Sequence, residues 1–146
     1  MKFVFVRVTN QKCIWLTELS SELIEKIQHF ESAQEHWVKA KREQETEAIE
    51  KILKPRDYLI LCDEMGKEFT SKGFSTELDK IKNKGPSRIV FAVGGAYGFD
   101  ESLRSKANLQ ISLSKMTLNH TVAYAVLLEQ VYRALAISKN HPYHHE

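Results

Sequence analysis

The sequence predicts an α/β protein whose sheet is largely parallel. Three observations lead there. Residues 2–8, 58–62 and 89–93 form short runs rich in Val, Ile, Leu and Phe, the length of a strand rather than of a core helix. Segments between them carry apolar residues at helical spacing. Strand-like and helix-like stretches alternate along the chain, the pattern of crossover connections rather than hairpins.

The first strand is expected over residues 2–8. Leu19, Leu23, Ile24, Ile27 and Phe30 recur at helical intervals among Glu and Lys, so residues 17–30 read as an amphipathic helix. A brief strand is expected over residues 36–41. Residues 41–53 are strongly polar, with Ile49, Ile52 and Leu53 as a narrow apolar stripe, which reads as an exposed helix closed by Pro55. Residues 58–62 are apolar without alternation, as in a strand covered on both faces, and Asp63-Glu64-Met65-Gly66 reads as the turn after it. Ser75 is the expected cap of a helix running to about residue 82, with Leu78 and Ile81 inward. The run 89–93 breaks into Gly94-Gly95-Ala96-Tyr97-Gly98, and Asp100 is the expected cap of a short helix. Residues 109–113 alternate as a strand does. Residues 121–138 form a long helix with little polar face. Such a helix calls for burial on two sides, by a second subunit or by the chain's own core.

Composition sets the outer limits. A chain of 146 residues with 42% hydrophobic and 27% charged residues is one domain, 1–146, with a real core, which excludes wholesale disorder. No apolar run approaches the roughly 18 residues of a membrane span. Arg7 interrupts the first apolar run too early for a secretory signal. Cys13 and Cys62 are too few for a disulfide framework and lack CxxC spacing, so both are expected as reduced thiols in the cytosol. Net charge is only +2, but it is unevenly spread. Residues 1–81 hold 13 Lys/Arg and 15 Asp/Glu, whereas residues 82–146 hold 8 and 4 together with His120, His141, His144 and His145. A basic C-terminal half is compatible with a phosphate-bearing partner.

Ligands of open α/β sheets bind beyond the carboxyl ends of strands. Three loops there have unusual composition: 63–67, 94–99 and 112–118. The glycine loop lacks GxGxxG and GK[ST] spacing, so it reads either as a close backbone approach to a flat ligand or as a tight turn. Cys62 ends an apolar strand and is expected as a buried, inert thiol. The chain end, His141-Pro142-Tyr143-His144-His145-Glu146, has no further ligand cluster at zinc spacing, and no metal is expected. Its rings suit stacking on RNA bases, with Arg133 or Lys139 near phosphates.

Four stretches taken together resemble a known family. They are Val93-Gly94-Gly95-Ala96-Tyr97-Gly98, then Leu113-Ser114-Lys115-Met116-Thr117-Leu118-Asn119-His120, then Glu129-Gln130-Val131-Tyr132-Arg133-Ala134, and the ending Asn140-His141-Pro142-Tyr143-His144. Their order and spacing are similar to those of the RlmH family, SPOUT-type methyltransferases acting on a pseudouridine of large-subunit (23S) ribosomal RNA. The resemblance implies an α/β sheet with a C-terminal deep trefoil knot, a homodimer, and S-adenosylmethionine as cofactor. It implies cofactor contacts at Cys62, Gly94, Gly95, Leu113, Ser114, Lys115, Met116, Thr117 and Leu118. It also implies methyl transfer to N3 of the base on the assembled ribosome. Arg133, His141, Tyr143 and His144 are then expected on the substrate side, and His141, Tyr143 and His144 are the candidate catalytic residues. The chain departs from the family at Thr9-Asn10, where a glycine is usual, at Cys62, where leucine is usual, and at Asn119-His120, where Pro-His is usual. A rival of another class stays open: a ribosome- or RNA-binding module of the same fold without catalysis.

Overall fold

A computed structural model, which describes residues 1–9, 12–95 and 98–145, places five strands in one sheet. They are β1 (Lys2–Val8), β2 (Ser32–Val38), β3 (Asp57–Glu68), β4 (Arg88–Val93) and β5 (Leu109–Ser112). Five helices lie between and after them: α1 (Ile14–Gln28), α2 (Glu45–Ile52), α3 (Ser71–Asn83), α4 (Glu101–Lys106) and α5 (His120–Ser138). The strand order is β2-β1-β4-β3-β5 and every pairing is parallel.

Alternation within each strand divides the core in two. Phe3, Phe5, Ile60, Ile89 and Phe91 pack with α1, α3 and α5, and the Phe5 and Phe91 rings stack at 5.1 Å. Val4, Val6, Val8, Leu59, Leu61, Val90 and Ala92 face the other way, onto Ile49 of α2 and Leu103 of α4. Central strands covered on both faces must be apolar at nearly every position, which is why β4 is buried throughout.

Several boundaries differ from the sequence expectation, each for a visible reason. Helix α1 starts at Ile14 rather than residue 17, because Ile14 and Trp15 are exposed and add nothing to the apolar stripe. Strand β2 spans Ser32–Val38 rather than 36–41. It pairs only with β1, from Lys2↔Ser32 to Val8↔Val38, and as an edge strand it needs no apolar run. The expected turn at 63–66 is a bulge inside β3: Cys62 and Lys67 both pair with Ile111, with the intervening residues looped out. Ser75 does not cap α3. Thr70 does, accepting from the Gly73 amide, while the Ser75 hydroxyl, one turn inside, donates to the Ala134 carbonyl of α5 at 2.7 Å. Asp100 does cap α4, accepting from the Leu103 amide.

Helix α5 is covered largely by its own chain. Tyr124, Leu127, Leu128, Val131, Tyr132, Ala134, Leu135 and Ala136 are buried against α1, α3 and the sheet. Its apolar circumference alone therefore no longer argues for a partner.

The amino end of the sheet is closed by a buried ion pair. Arg88 of β4 donates to both carboxylate oxygens of Asp57, at 2.9 and 2.6 Å, and to the Ile52 carbonyl that ends α2. Burial opposes the Asp57 charge, but the Arg88 hydrogen bonds and charge outweigh it and hold the carboxyl below its usual value. Removing one partner strands the other, so Asp57→Asn is expected to cost about 3 kcal/mol at neutral pH. A depressed carboxyl stabilises the fold above its unfolded value, about pH 4, and that stabilisation is lost as acid carries it through the folded value. Urea unfolding at about pH 7 and pH 3 checks this: the gap between wild type and variant narrows at the lower pH. An equal gap at both contradicts it.

Candidate functional site

The carboxyl ends of β3, β4 and β5 surround a cavity of about 380 Å³. Strand β3 contributes Cys62 and its bulge contributes Asp63 and Glu64. Beyond β4 lie Gly94, Gly95 and Gly98, and beyond β5 the chain runs along the wall through Leu113, Ser114, Met116, Thr117 and Leu118 into Asn119, His120 and Ala123. Loops that lie far apart in sequence meet here because β3 sits between β4 and β5.

The wall is held by local contacts. The bulge is turned by Asp63, whose Oδ1 accepts from the Met65 amide at 3.0 Å. At Gly66 the backbone presses on β5: a Cβ there would stand 2.6 Å from the Gln110 carbonyl carbon, so no side chain fits. Asp63 Oδ2 pairs with Arg104 Nε at 2.7 Å, and the Thr117 hydroxyl donates to Glu64 at 2.9 Å, joining the bulge to the loop after β5. Ser112 donates to the Ser114 carbonyl and Ser114 accepts from the Met116 amide, folding that loop on itself. Asn119 caps α5, accepting from the Thr121 amide at 2.9 Å. On the opposite side the buried Glu45 of α2 accepts from the Gly95 amide at 2.7 Å.

Most of the residues expected to bind cofactor thus meet in one place: Cys62, Gly94, Gly95, Leu113, Ser114, Met116, Thr117 and Leu118 all line the cavity. Lys115 does not; it is exposed. Ala96 and Tyr97 of the glycine loop, Asn10 and Glu146 lie outside the described residues. Cys62 lines the cavity as an inert thiol, since burial and then Asp63 push it up to about 12.

The residues expected on the substrate side form a second cluster, away from the first. Arg133 pairs with Glu129 at 2.5 Å, lies 4.9 Å from the Tyr143 ring and contacts His144 Nδ1 at 2.9 Å. The Tyr143 hydroxyl donates to Glu129 at 3.0 Å and its ring packs edge-on against Tyr132. The exposed His141 sits edge-on to Phe30. Burial, then Glu129, push the Tyr143 phenol above its ordinary value, which makes it a donor rather than a base at neutral pH. This cluster is at the carboxyl end of α5, whereas the cavity is at the amino end. Ala123 and Arg133 are separated by about 15 Å of helix at 1.5 Å per residue.

Sequence reasoning missed Glu45, Glu64, Arg104 and His120. Glu45 left a signal, because it lies four residues before Ile49 and seven before Ile52, on the same helical stripe. Glu64 left one as part of the loop 63–67, and His120 as part of a stretch that carries the resemblance; Arg104 left none, since only the fold brings it to the cavity.

A family model described as "Predicted SPOUT methyltransferase" matches residues 1–144. Three proteins named "Ribosomal RNA large subunit methyltransferase H" are similar to the chain. One from Parabacteroides distasonis is 53% identical over 72% of this chain and 67% of its own length. One from Christiangramia forsetii is 40% identical over 96% and 87%. One from Bdellovibrio bacteriovorus is 36% identical over 99% of both.

At pH 8 the thiolate fraction of Cys62 predicts alkylation in the native protein about a thousandfold slower than in the unfolded chain. Mass spectrometry of iodoacetamide-treated protein, with and without urea, measures this. Comparable rates in the two states contradict the inert assignment.

Proposed function

This chain belongs to the SPOUT methyltransferase family, in its ribosomal RNA large-subunit methyltransferase H group, and from that premise we propose its specific reaction. It transfers the methyl group of S-adenosylmethionine to N3 of a pseudouridine in large-subunit ribosomal RNA, on the assembled ribosome in the cytoplasm. The observation that carries this reading is the convergence of Cys62, Gly94, Gly95 and the loop 113–118 on one cavity.

The cavity suits that cofactor. Its volume is within the range of small-molecule sites. Val93, Leu113, Leu118 and Ala123 give it apolar surface for a nucleoside, while Asp63 and Glu64 give carboxylates compatible with a sulfonium cation. Bound S-adenosylmethionine supplies an electrophilic methyl group. The chain's own residues then have three tasks: to hold that group in line with the base nitrogen, to exclude water, and to handle the N3 proton. Cys62 adds no competing nucleophile, because its thiol is protonated. On the substrate side, Arg133 offers positive charge to the imide anion that forms as the N3 proton leaves, and Tyr143 offers a hydroxyl donor. His141 and His144 are the candidates to take the proton.

The separation of the two clusters along α5 supports a homodimer in which the tail of one protomer closes the cavity of the other. Ile14, Trp15 and Val122 remain exposed on α1 and α5, which pack on the same face of the sheet. The path of the chain supports the family's knot. After β5, at the sheet edge, residues 113–119 return past the ends of β3 and β4, and α5 begins bonded to Arg7 of β1.

Mass spectrometry of ribosomal RNA from cells with and without the gene is expected to show one methyl group lost from a pseudouridine. An unchanged methyl pattern rejects the reaction. Calorimetry separates the rival module, which would take up no S-adenosylmethionine. The shared site has its own test. A chain truncated after residue 140 and a Thr117→Trp chain are each expected to be inactive, and mixed dimers of the two to regain methylation. Mixtures as inactive as the separate variants contradict a tail acting across the dimer.

A further inference from the structure

Arg7 is the largest fully buried side chain among the described residues, set between Val6 and Val8 near the carboxyl end of β1. Its Nη2 donates to Thr121 Oγ1 in the first turn of α5, at 2.8 Å. Nε and Nη1 are closed off from solvent and meet no acceptor among the described residues. The guanidinium lies 5.2 Å from the Trp37 ring and 6.0 Å from the Tyr124 ring. Glu35 is the carboxylate nearby, and its Oε2 is already engaged by the Tyr124 hydroxyl at 2.5 Å and the Trp37 indole at 3.1 Å. A cation buried this way is costly, and ordinary packing of β1 against α5 needs only an apolar residue.

The residue next to this anchor is informative. His120, immediately before Thr121, lines the cavity. Its Nδ1 is shut away from solvent and meets no partner among the described residues, whereas Nε2 is not shut away. Burial, and then the Arg7 charge, hold the ring below its ordinary value. Other charged or titratable groups also surround this point. Across the cavity Asp63 is matched by Arg104, Glu64 accepts from Thr117, and the Cys62 thiol is protonated. Beside Arg7 stand Cys13, Glu35 and Tyr124. With Nδ1 closed off from solvent and from any acceptor among the described residues, the single proton of the ring belongs on Nε2.

We propose that Arg7 is a positioning residue for the cavity: through Thr121 it ties the first turn of α5 to β1 and holds the adjacent His120 at the cavity wall. The ring then presents a neutral N–H donor and does not repel a sulfonium cation, a consequence that rests on the cofactor reading above. The positioning itself does not.

Nitrogen-detected NMR of the free full-length protein reads the tautomer and titration of His120 without any ligand. The proton is expected on Nε2, with a midpoint below the ordinary histidine value of about 6.5. Arg7→Met is expected to raise that midpoint by about half a unit or more, while Arg7→Lys, which keeps the charge, leaves it low. Calorimetry with S-adenosylmethionine adds a second readout: Arg7→Met loses affinity several-fold between about pH 8 and 5.5, and wild type holds it. A wild-type His120 with an ordinary midpoint or its proton on Nδ1 overturns the proposal, as does a midpoint unmoved in Arg7→Met. If Arg7→Met does not fold, the wild-type tautomer and midpoint decide. Failure of the cofactor reading looks different: wild type takes up no S-adenosylmethionine while the NMR result stands.

Discussion

The cavity exists because the chain turns back after β5. Having laid its last strand at the sheet edge, it passes the carboxyl ends of β3 and β4 and starts its last helix beside β1. That return is pinned at both ends. At the start, the bulge of β3 presses so closely on β5 that residue 66 has no room for a side chain. At the finish, Arg7 holds Thr121 and Asn119 caps the helix. Between the pins the loop is tied by the Thr117–Glu64 hydrogen bond and its own serine turns. A segment held mainly by surface hydrogen bonds belongs to the less stable part of a fold, which suits a wall that must admit a ligand.

The buried ion pair and the candidate site sit at opposite ends of the same sheet. The amino end carries the Asp57–Arg88 pair, which also anchors the end of α2. The carboxyl end carries the costly arrangements: a guanidinium and a histidine nitrogen closed off without a full set of partners among the described residues, and a buried glutamate that accepts from a glycine amide. Local rules are most often broken where a fold serves a ligand. The helix joining the two sides of the account is α5, which brings His120 and Ala123 to the cavity and Arg133 to the chain end.

Strands covered on both faces announced themselves, because β1, β3 and β4 need apolar residues at almost every position in their cores. Edge strand β2 was misplaced, since Ser-Ala-Gln-Glu-His-Trp-Val satisfies one neighbour and much solvent. Ser75 looked like a cap because its chemistry suits one, yet an inward hydroxyl that reaches the Ala134 carbonyl has the same letter in the sequence. The loops 94–99 and 112–118 were legible as candidate ligand loops from their place beyond strand ends, whereas the individual residues expected to bind cofactor came through resemblance. Glu64 and His120 were legible only as members of stretches, and Arg104 was not legible at all, because its place comes from bringing β3 and α4 together at one end of the sheet. Arg7 read as an interruption of an apolar run, and its burial beneath α5 is a property of the fold alone.

The central claim is that the return loop and the two strand ends it crosses form the methyl-donor site. A crystal structure of the chain grown with S-adenosylmethionine tests it most directly. The account predicts the ligand between Cys62, Gly94 and Thr117, with the ends of β3, β4 and β5 around it. Ligand bound elsewhere on the chain, with that cavity empty, would contradict the account.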